Sequence, residues 1–168
     1  MRPGRVDPSF LSHADDLTAV DAAPEMLRIA AAKVRDRRVR FVQADLFSWQ
    51  PDRRYDVVFF GFWLSHVPLE RFDEFSRLVH RCLKPAGPVA FVDDAYRTPE
   101  ELIEGEHSTI IRRQLTDGTP FRAVKVPHTP SELEESLGRL GWGLHCPTSA
   151  RTFLLGRRHP MRATVKRL

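Results

Sequence analysis

Long apolar runs, clustered cysteines and a glycine-rich turn are all wanting in this 168-residue chain. No apolar run approaches the ~18 residues that a helical membrane span needs, and the N-terminus has no short apolar core of a signal peptide, so a cytoplasmic protein is expected. Only two cysteines occur. Cys82 falls in a predicted helix and Cys146 in a predicted strand, without a CxxC spacing, which excludes a disulfide framework and predicts two reduced, packed thiols. The seven histidines show no zinc-ligand spacing, so no metal is expected. Acids are absent from the last dozen residues, where Arg157, Arg158, Arg162, Lys166 and Arg167 crowd together; apart from these five, 21 bases face 22 acids. The net charge of +4 is therefore a property of a solvated tail, residues 158–168, and the near-neutral body argues against a nucleic-acid partner.

What is present reads as one domain over residues 1–168, with 42% hydrophobic residues and an irregular stretch at 1–16. Leu17, Ala19 and Val20 form a short strand ending on Asp21, followed by a helix with Pro24 in its first turn and Met26, Ile29, Ala30 and Val34 on one face. Arg35, Arg37, Arg38 and Arg40 read as a solvated helix end. Phe41 and Val42 open a second strand that runs to Ala44-Asp45. "YDVVFFGF", Tyr55 to Phe62, is continuously apolar after its acid, as expected of a strand buried on both faces at the centre of a sheet. Phe72, Phe75, Val79 and Leu83 recur at helical spacing, "KPAG" stops that helix, and "PVAFVDD" supplies another strand.

Alternation of strand and helix predicts an α/β fold with a mostly parallel, doubly wound, Rossmann-like sheet. Farther on, Thr98-Pro99-Glu100-Glu101 has the residues of a capping box, predicting a helix into the 100s before the Asp117-Gly118 turn, and "FRAVKV" is a candidate strand. Thr129-Pro130-Ser131-Glu132 repeats the box ahead of Leu133, Leu137 and Leu140. "WGLHC" and "RTFLLGR" read as a terminal antiparallel hairpin.

In doubly wound sheets, ligands lie across the carboxyl ends of the strands. Asp21, at such an end, is placed to accept from ribose hydroxyls, although an Asp there also serves to start a turn or cap a helix. Asp45, ending the next strand, is placed to accept from an adenine amino group, with the Leu46 N–H able to donate to a ring nitrogen. Gly61 leaves room for close backbone approach.

The segments "AVDAAPEML", "VQADLF", "YDVVFFGFWLSHVP" and "RCLKPAGPVAFVDD" resemble, in order and spacing, the class I S-adenosylmethionine-dependent methyltransferases of the small-molecule type. The resemblance implies Asp21 at the ribose, with Ala22 and Met26 beside the adenosine. It implies Asp45 and Leu46 at the adenine, and Gly61 and Phe62 near the methionine part of S-adenosylmethionine. Trp63 and His66 would face a small-molecule acceptor, His66 as general base. His107, Arg112, Arg113 and His128 fall where the family builds its substrate cover, and read here as surface decoration. The aromatic run Phe59, Phe60, Phe62, Trp63 hints at an apolar acceptor.

The family's first strand and Gly-rich turn should precede Asp21 by about 20 residues. "MRPGRVDPSFLSHADD" stands there instead. That strand normally lies between the second and fourth, and its five or six buried residues at ~1.5–3 kcal/mol each rival the ~5–15 kcal/mol net stability of a domain. The expectation is thus an N-terminally truncated methyltransferase, impaired or inactive as it stands, whose missing strand is supplied by coding sequence upstream of Met1 or in another frame. Without it, the strand at Leu17 either pairs directly with the one at Tyr55 or leaves a slot. Two other readings remain: a non-catalytic remnant or partner-bound module, and a nicotinamide-dependent short-chain reductase. The second lacks the Tyr and Lys four residues apart that such enzymes need.

Overall fold

The computed structural model describes residues 8–94, 108–115, 117–145 and 153–160. Its contacts fall into two compact units, residues 1–50 and 51–168.

In the first unit, β1 (Leu17–Asp21) and β2 (Val39–Gln43) pair in parallel, from Leu17 opposite Val39 to Asp21 opposite Gln43. A parallel pair needs a crossover, and α1 (Pro24–Lys33) provides it, packing on both strands. Pro24 occupies the first turn, where its missing N–H costs nothing, with Glu25 at the positive and Lys33 at the negative end of the helix dipole. Of the expected apolar face, Ala30 and Val34 are buried and Met26 is half-buried, but Ile29 is exposed. The arginine cluster is not merely a solvated helix end. Arg38 donates to the carbonyls of Leu11 (2.8 Å) and Ala14 (3.1 Å) and to the Asp36 carboxylate, tying down a 3-10 turn at Pro8–Ser12 in the stretch expected to be irregular.

In the second unit, β3 (Val58–Gly61), β4 (Val89–Asp94), β7 (Trp142–His145) and β8 (Phe153–Pro160) form one sheet in the order β3-β4-β8-β7. β3 and β4 are parallel, whereas β8 runs antiparallel to both β4 and β7, giving the expected terminal hairpin. β3 was expected to be central and buried on both faces. Among the described residues it instead borders its sheet, and it alternates: Phe60 stacks on Phe91 (ring centroids 5.3 Å apart) and meets Phe75 edge-on, while Phe59 is 46% exposed and Val57, just before the strand, 55%. Within their own units, β1 pairs with β2 and β3 with β4.

Helix α2 (Phe72–Cys82) buries Phe72, Phe75, Leu78 and Val79 at helical spacing, with Leu83 buried just beyond. Cys82 ends it, buried, with its thiol pushed up to about 11 by desolvation; Cys146 lies outside the described residues. Helix α3 (Pro130–Arg139) opens on the expected capping box: Thr129 Oγ1 accepts from the Glu132 N–H and Glu132 returns a carboxylate to the Thr129 N–H. Leu133 and Leu137 are buried, and Gly141, at φ +79°, turns the chain into β7.

The helix expected from Thr98 falls on residues outside the described part. Just after it the chain forms a strand that had not been expected, β5 (Ile110–Gln114), hairpinned with β6 (Pro120–Val124) about Gly118, at φ +86°. The pairing has a sequence cause: Ile110-Ile111 is β-branched, and Asp-Gly between two such segments is a hairpin signal.

The "KPAG" stop is a tight turn in which the Gly87 N–H donates to the Lys84 carbonyl at 3.0 Å, with Ala86 at φ +64°. Its two small residues carry opposite demands. Ala86 holds a left-handed conformation suited to glycine, whereas Gly87 is hemmed in, a Cβ there lying 2.9 Å from the Asp56 carbonyl oxygen. Ala86→Gly is expected to raise stability by about 0.5–1 kcal/mol, the relief of a left-handed alanine less the added freedom of the unfolded chain. Gly87→Ala is expected to lower it by about 1–3 kcal/mol. Urea midpoints of the two variants should move in opposite directions. Thr129→Ala should cost about 1 kcal/mol through loss of the cap, read in the same assay.

Candidate active site

Asp21 and Asp45 stand at the same edge of the first unit. Asp21 closes β1, and the Ala44 N–H donates to its carbonyl at 3.1 Å, extending the parallel ladder one step so that Asp45 follows just beyond the end of β2. Each carboxylate serves its own turn: Asp21 Oδ1 accepts from the Ala23 N–H at 2.8 Å, and Asp45 Oδ1 from the Phe47 N–H at 3.1 Å. The local, turn-forming role is thus real for both. It uses one of about four acceptor positions on a carboxylate, leaving each able to take hydroxyl or amine donors. Ala22 is exposed beside Asp21, Met26 is half-buried in the first turn of α1, and Leu46 is half-buried after Asp45.

The second unit places Gly61 and Phe62 at the carboxyl end of β3. The nearest atoms to a Cβ at Gly61 would be Val92 Cγ1 at 3.4 Å and the Phe59 ring at 3.7 Å, both ordinary contacts. Packing therefore does not demand glycine there, and its small size matters only toward what approaches from outside. Phe62 adopts φ +55° while its N–H donates to the Val92 carbonyl at 2.7 Å. A bulky residue in the left-handed region costs about 1–3 kcal/mol and is held by its surroundings, a pattern found at ligand-binding edges.

Beyond Trp63, a 3-10 turn (Leu64–His66) carries the expected general base. His66 Nδ1 lies 2.6 Å from the Val124 carbonyl oxygen. A carbonyl only accepts, so Nδ1 bears the hydrogen and Nε2 of the neutral ring bears the lone pair. Burial holds the imidazole below its ordinary pKa, aided by Lys125 and Arg113 and opposed by the Val124 hydrogen bond and Asp93. The ring is therefore neutral at pH 7.

Three residues in this neighbourhood escaped the sequence reading. Asp93, near the end of β4, accepts from the Ser65 N–H at 2.9 Å and from its hydroxyl at 2.7 Å. Lys125, just past β6, donates to Ser65 Oγ at 2.9 Å and lies 3.8 Å from Asp93. Lys125 is 0% and Asp93 1% exposed, and burial pulls the Lys125 ammonium below its ordinary pKa against the attraction of Asp93. A lysine inside the apolar "VKV" was the available signal, but in a strand it reads equally as an outward residue.

His128 is not surface decoration: it is 8% exposed, its pKa is lowered chiefly by burial, and among the described residues its Nε2 has no hydrogen-bond partner. It borders an open concavity of about 760 Å³ with Leu69, Phe72, Glu132 and Arg139, which includes none of the residues expected at the cofactor. Arg112 is exposed and Arg113 half-buried; His107 lies outside the described residues. Among the described residues no group of three His, Cys, Asp or Glu is arranged to hold a metal, and no helix is long and apolar enough to cross a membrane.

A family model described as a methyltransferase domain matches residues 3–87. Among curated proteins, trans-aconitate 2-methyltransferase of Escherichia coli O139:H28 is 30% identical over 91 residues, 54% of this chain and 32% of the relative. The chain thus spans about a third of the length of that relative. Among solved structures, a DhpI–SAH complex is 40% identical with a TM-score of 0.74, covering 89% of this chain and 68% of the other. A DhpI–SAM–HEP complex is 38% identical with a TM-score of 0.76, covering 90% and 73%. The PH0226 protein of Pyrococcus horikoshii OT3, 20% identical with a TM-score of 0.70 and covering 91% and 76%, shares the fold. The parallel strand pairs, the antiparallel terminal strand and these matches agree, and the chain belongs to the Rossmann-like class I S-adenosylmethionine-dependent methyltransferases.

Proposed function

We propose that this chain transfers a methyl group from S-adenosylmethionine to a small-molecule acceptor. The observation that carries the reading is the pair of strand-end carboxylates, Asp21 and Asp45, on one edge of a parallel β-α-β unit with acceptor capacity left over. In the first unit, Asp21 takes the ribose hydroxyls and Asp45 the adenine amino group, while the Leu46 N–H faces a ring nitrogen and Ala22 and Met26 flank the adenosine. Gly61 and Phe62, in the second unit, are the residues that the family resemblance offers for the methionine part. Bound there, the cofactor supplies an electrophilic methyl on a sulfonium. His66 Nε2, unprotonated at neutral pH, receives the proton that a hydroxyl or amine acceptor loses. Much of the remaining rate comes from alignment of the reactants. The free, buried Cys82 and the near-neutral body favour a cytoplasmic setting without nucleic acid.

Calorimetry with S-adenosylhomocysteine tests the cofactor site. Asp21→Ala is expected to weaken binding about 10- to 100-fold, the loss of charge-assisted hydrogen bonds worth about 1.5–3 kcal/mol, and Asp45→Asn by about tenfold or less. Unchanged affinity in Asp21→Ala would overturn Asp21 as the ribose partner, and no binding by the parent chain would overturn the reading that this chain itself transfers the methyl group. For the base, His66→Ala should lower kcat about 10²- to 10⁴-fold with cofactor affinity unchanged. Because the folded-state pKa of His66 is depressed, the acid limb of the pH–rate profile should fall below the ordinary histidine value, with activity lost as pH drops and Nε2 is protonated.

A further inference from the structure

Every polar atom of Ser65 is engaged. Its N–H and hydroxyl donate to the two oxygens of Asp93, its Oγ accepts from Lys125 Nζ, and its carbonyl accepts from the Val126 N–H at 2.7 Å. The proton directions are fixed by chemistry: an ammonium only donates, so the serine hydroxyl hydrogen must go to the carboxylate. Ser65 is followed directly by His66, whose Nδ1–H is held by Val124, the residue before Lys125. The dipeptide Ser65-His66 is thus fastened along Val124-Lys125-Val126 by three bonds, and the Lys125 N–H is anchored in turn to the Thr109 carbonyl at 2.8 Å.

A buried ion pair is a poor way to gain stability, since desolvating both charges offsets most of their attraction and an apolar pair of similar volume serves as well or better. What such a cluster does supply is direction. A serine that donates to a carboxylate and accepts from an ammonium has its place defined, and with it where the next residue's side chain points, which packing of interchangeable methyl groups does not.

We propose that Lys125, acting with Asp93 through Ser65, is a positioning residue for His66: it holds the turn so that the imidazole keeps its Nδ1–H tautomer against Val124 and presents Nε2. The inference rests on His66 being the base only for its catalytic consequence. The tautomer itself is independent of that reading. The charged groups acting on His66 are Asp93 from β4, Arg113 from β5 and Lys125 after β6.

The test is made on the full chain. Replacing both charges together, Asp93→Leu with Lys125→Met, avoids leaving either ion unpaired, and Ser65→Ala removes the link alone, a smaller change available should the double variant fail to fold. Histidine ring ¹⁵N NMR is expected to show His66 as the Nδ1–H tautomer in the parent and as a mixture in either variant. In turnover, kcat should fall about 10- to 100-fold, the scale of a small misplacement, with KM and S-adenosylhomocysteine affinity little changed. The loss should vanish in a His66→Ala background. An unaltered tautomer in a folded variant would overturn the proposal. An altered tautomer without a change in kcat would leave the positioning intact and sink His66 as the base.

Discussion

Parallel pairing constrains this chain more than any other interaction. Two parallel strands cannot be joined by a tight turn, so a helix must cross over, and the carboxyl ends of consecutive strands are then delivered to a single edge. In the first unit that geometry brings Asp21 and Asp45 to neighbouring strand ends, and in the second it sets Gly61 opposite Val92, with Phe62 just beyond. No side chain had to be steered across the protein to reach these places. Each lies where its strand stops.

At those ends the local role leaves room for the binding role proposed above. The turns after β1 and β2 use one carboxylate oxygen each, and that use helps orient the carboxylate. A group already fixed by a backbone N–H meets a ligand with less conformational freedom left to lose. The same reasoning runs deeper around Ser65, where the fixing partners are charged and fully buried.

Legibility followed interaction range. Helices α1, α2 and α3 were readable because apolar spacing, first-turn prolines and the Thr129 cap act within a few residues. The acids closing β1 and β2 were readable for the same reason. β3 was misjudged because a continuous apolar run does not say whether one face or two will be covered; that depends on its neighbours, and among the described residues β3 has only β4 beside it in its sheet. β5 was overlooked because "IIRRQ" lacks alternation, although Asp117-Gly118 marked the turn. The Ser65 cluster was illegible in principle, since its bonds join residues 28 and 60 positions apart. His128 was misread for a related reason, as polarity alone does not reveal burial.

Val57 and Phe59, just before and within β3, turn apolar surface to water, and among the described residues β3 borders its sheet. Such a border is a template for sticking to another molecule, and its chemistry governs handling in the laboratory. Apolar contact of this kind strengthens in sulfate or phosphate and weakens in mild urea.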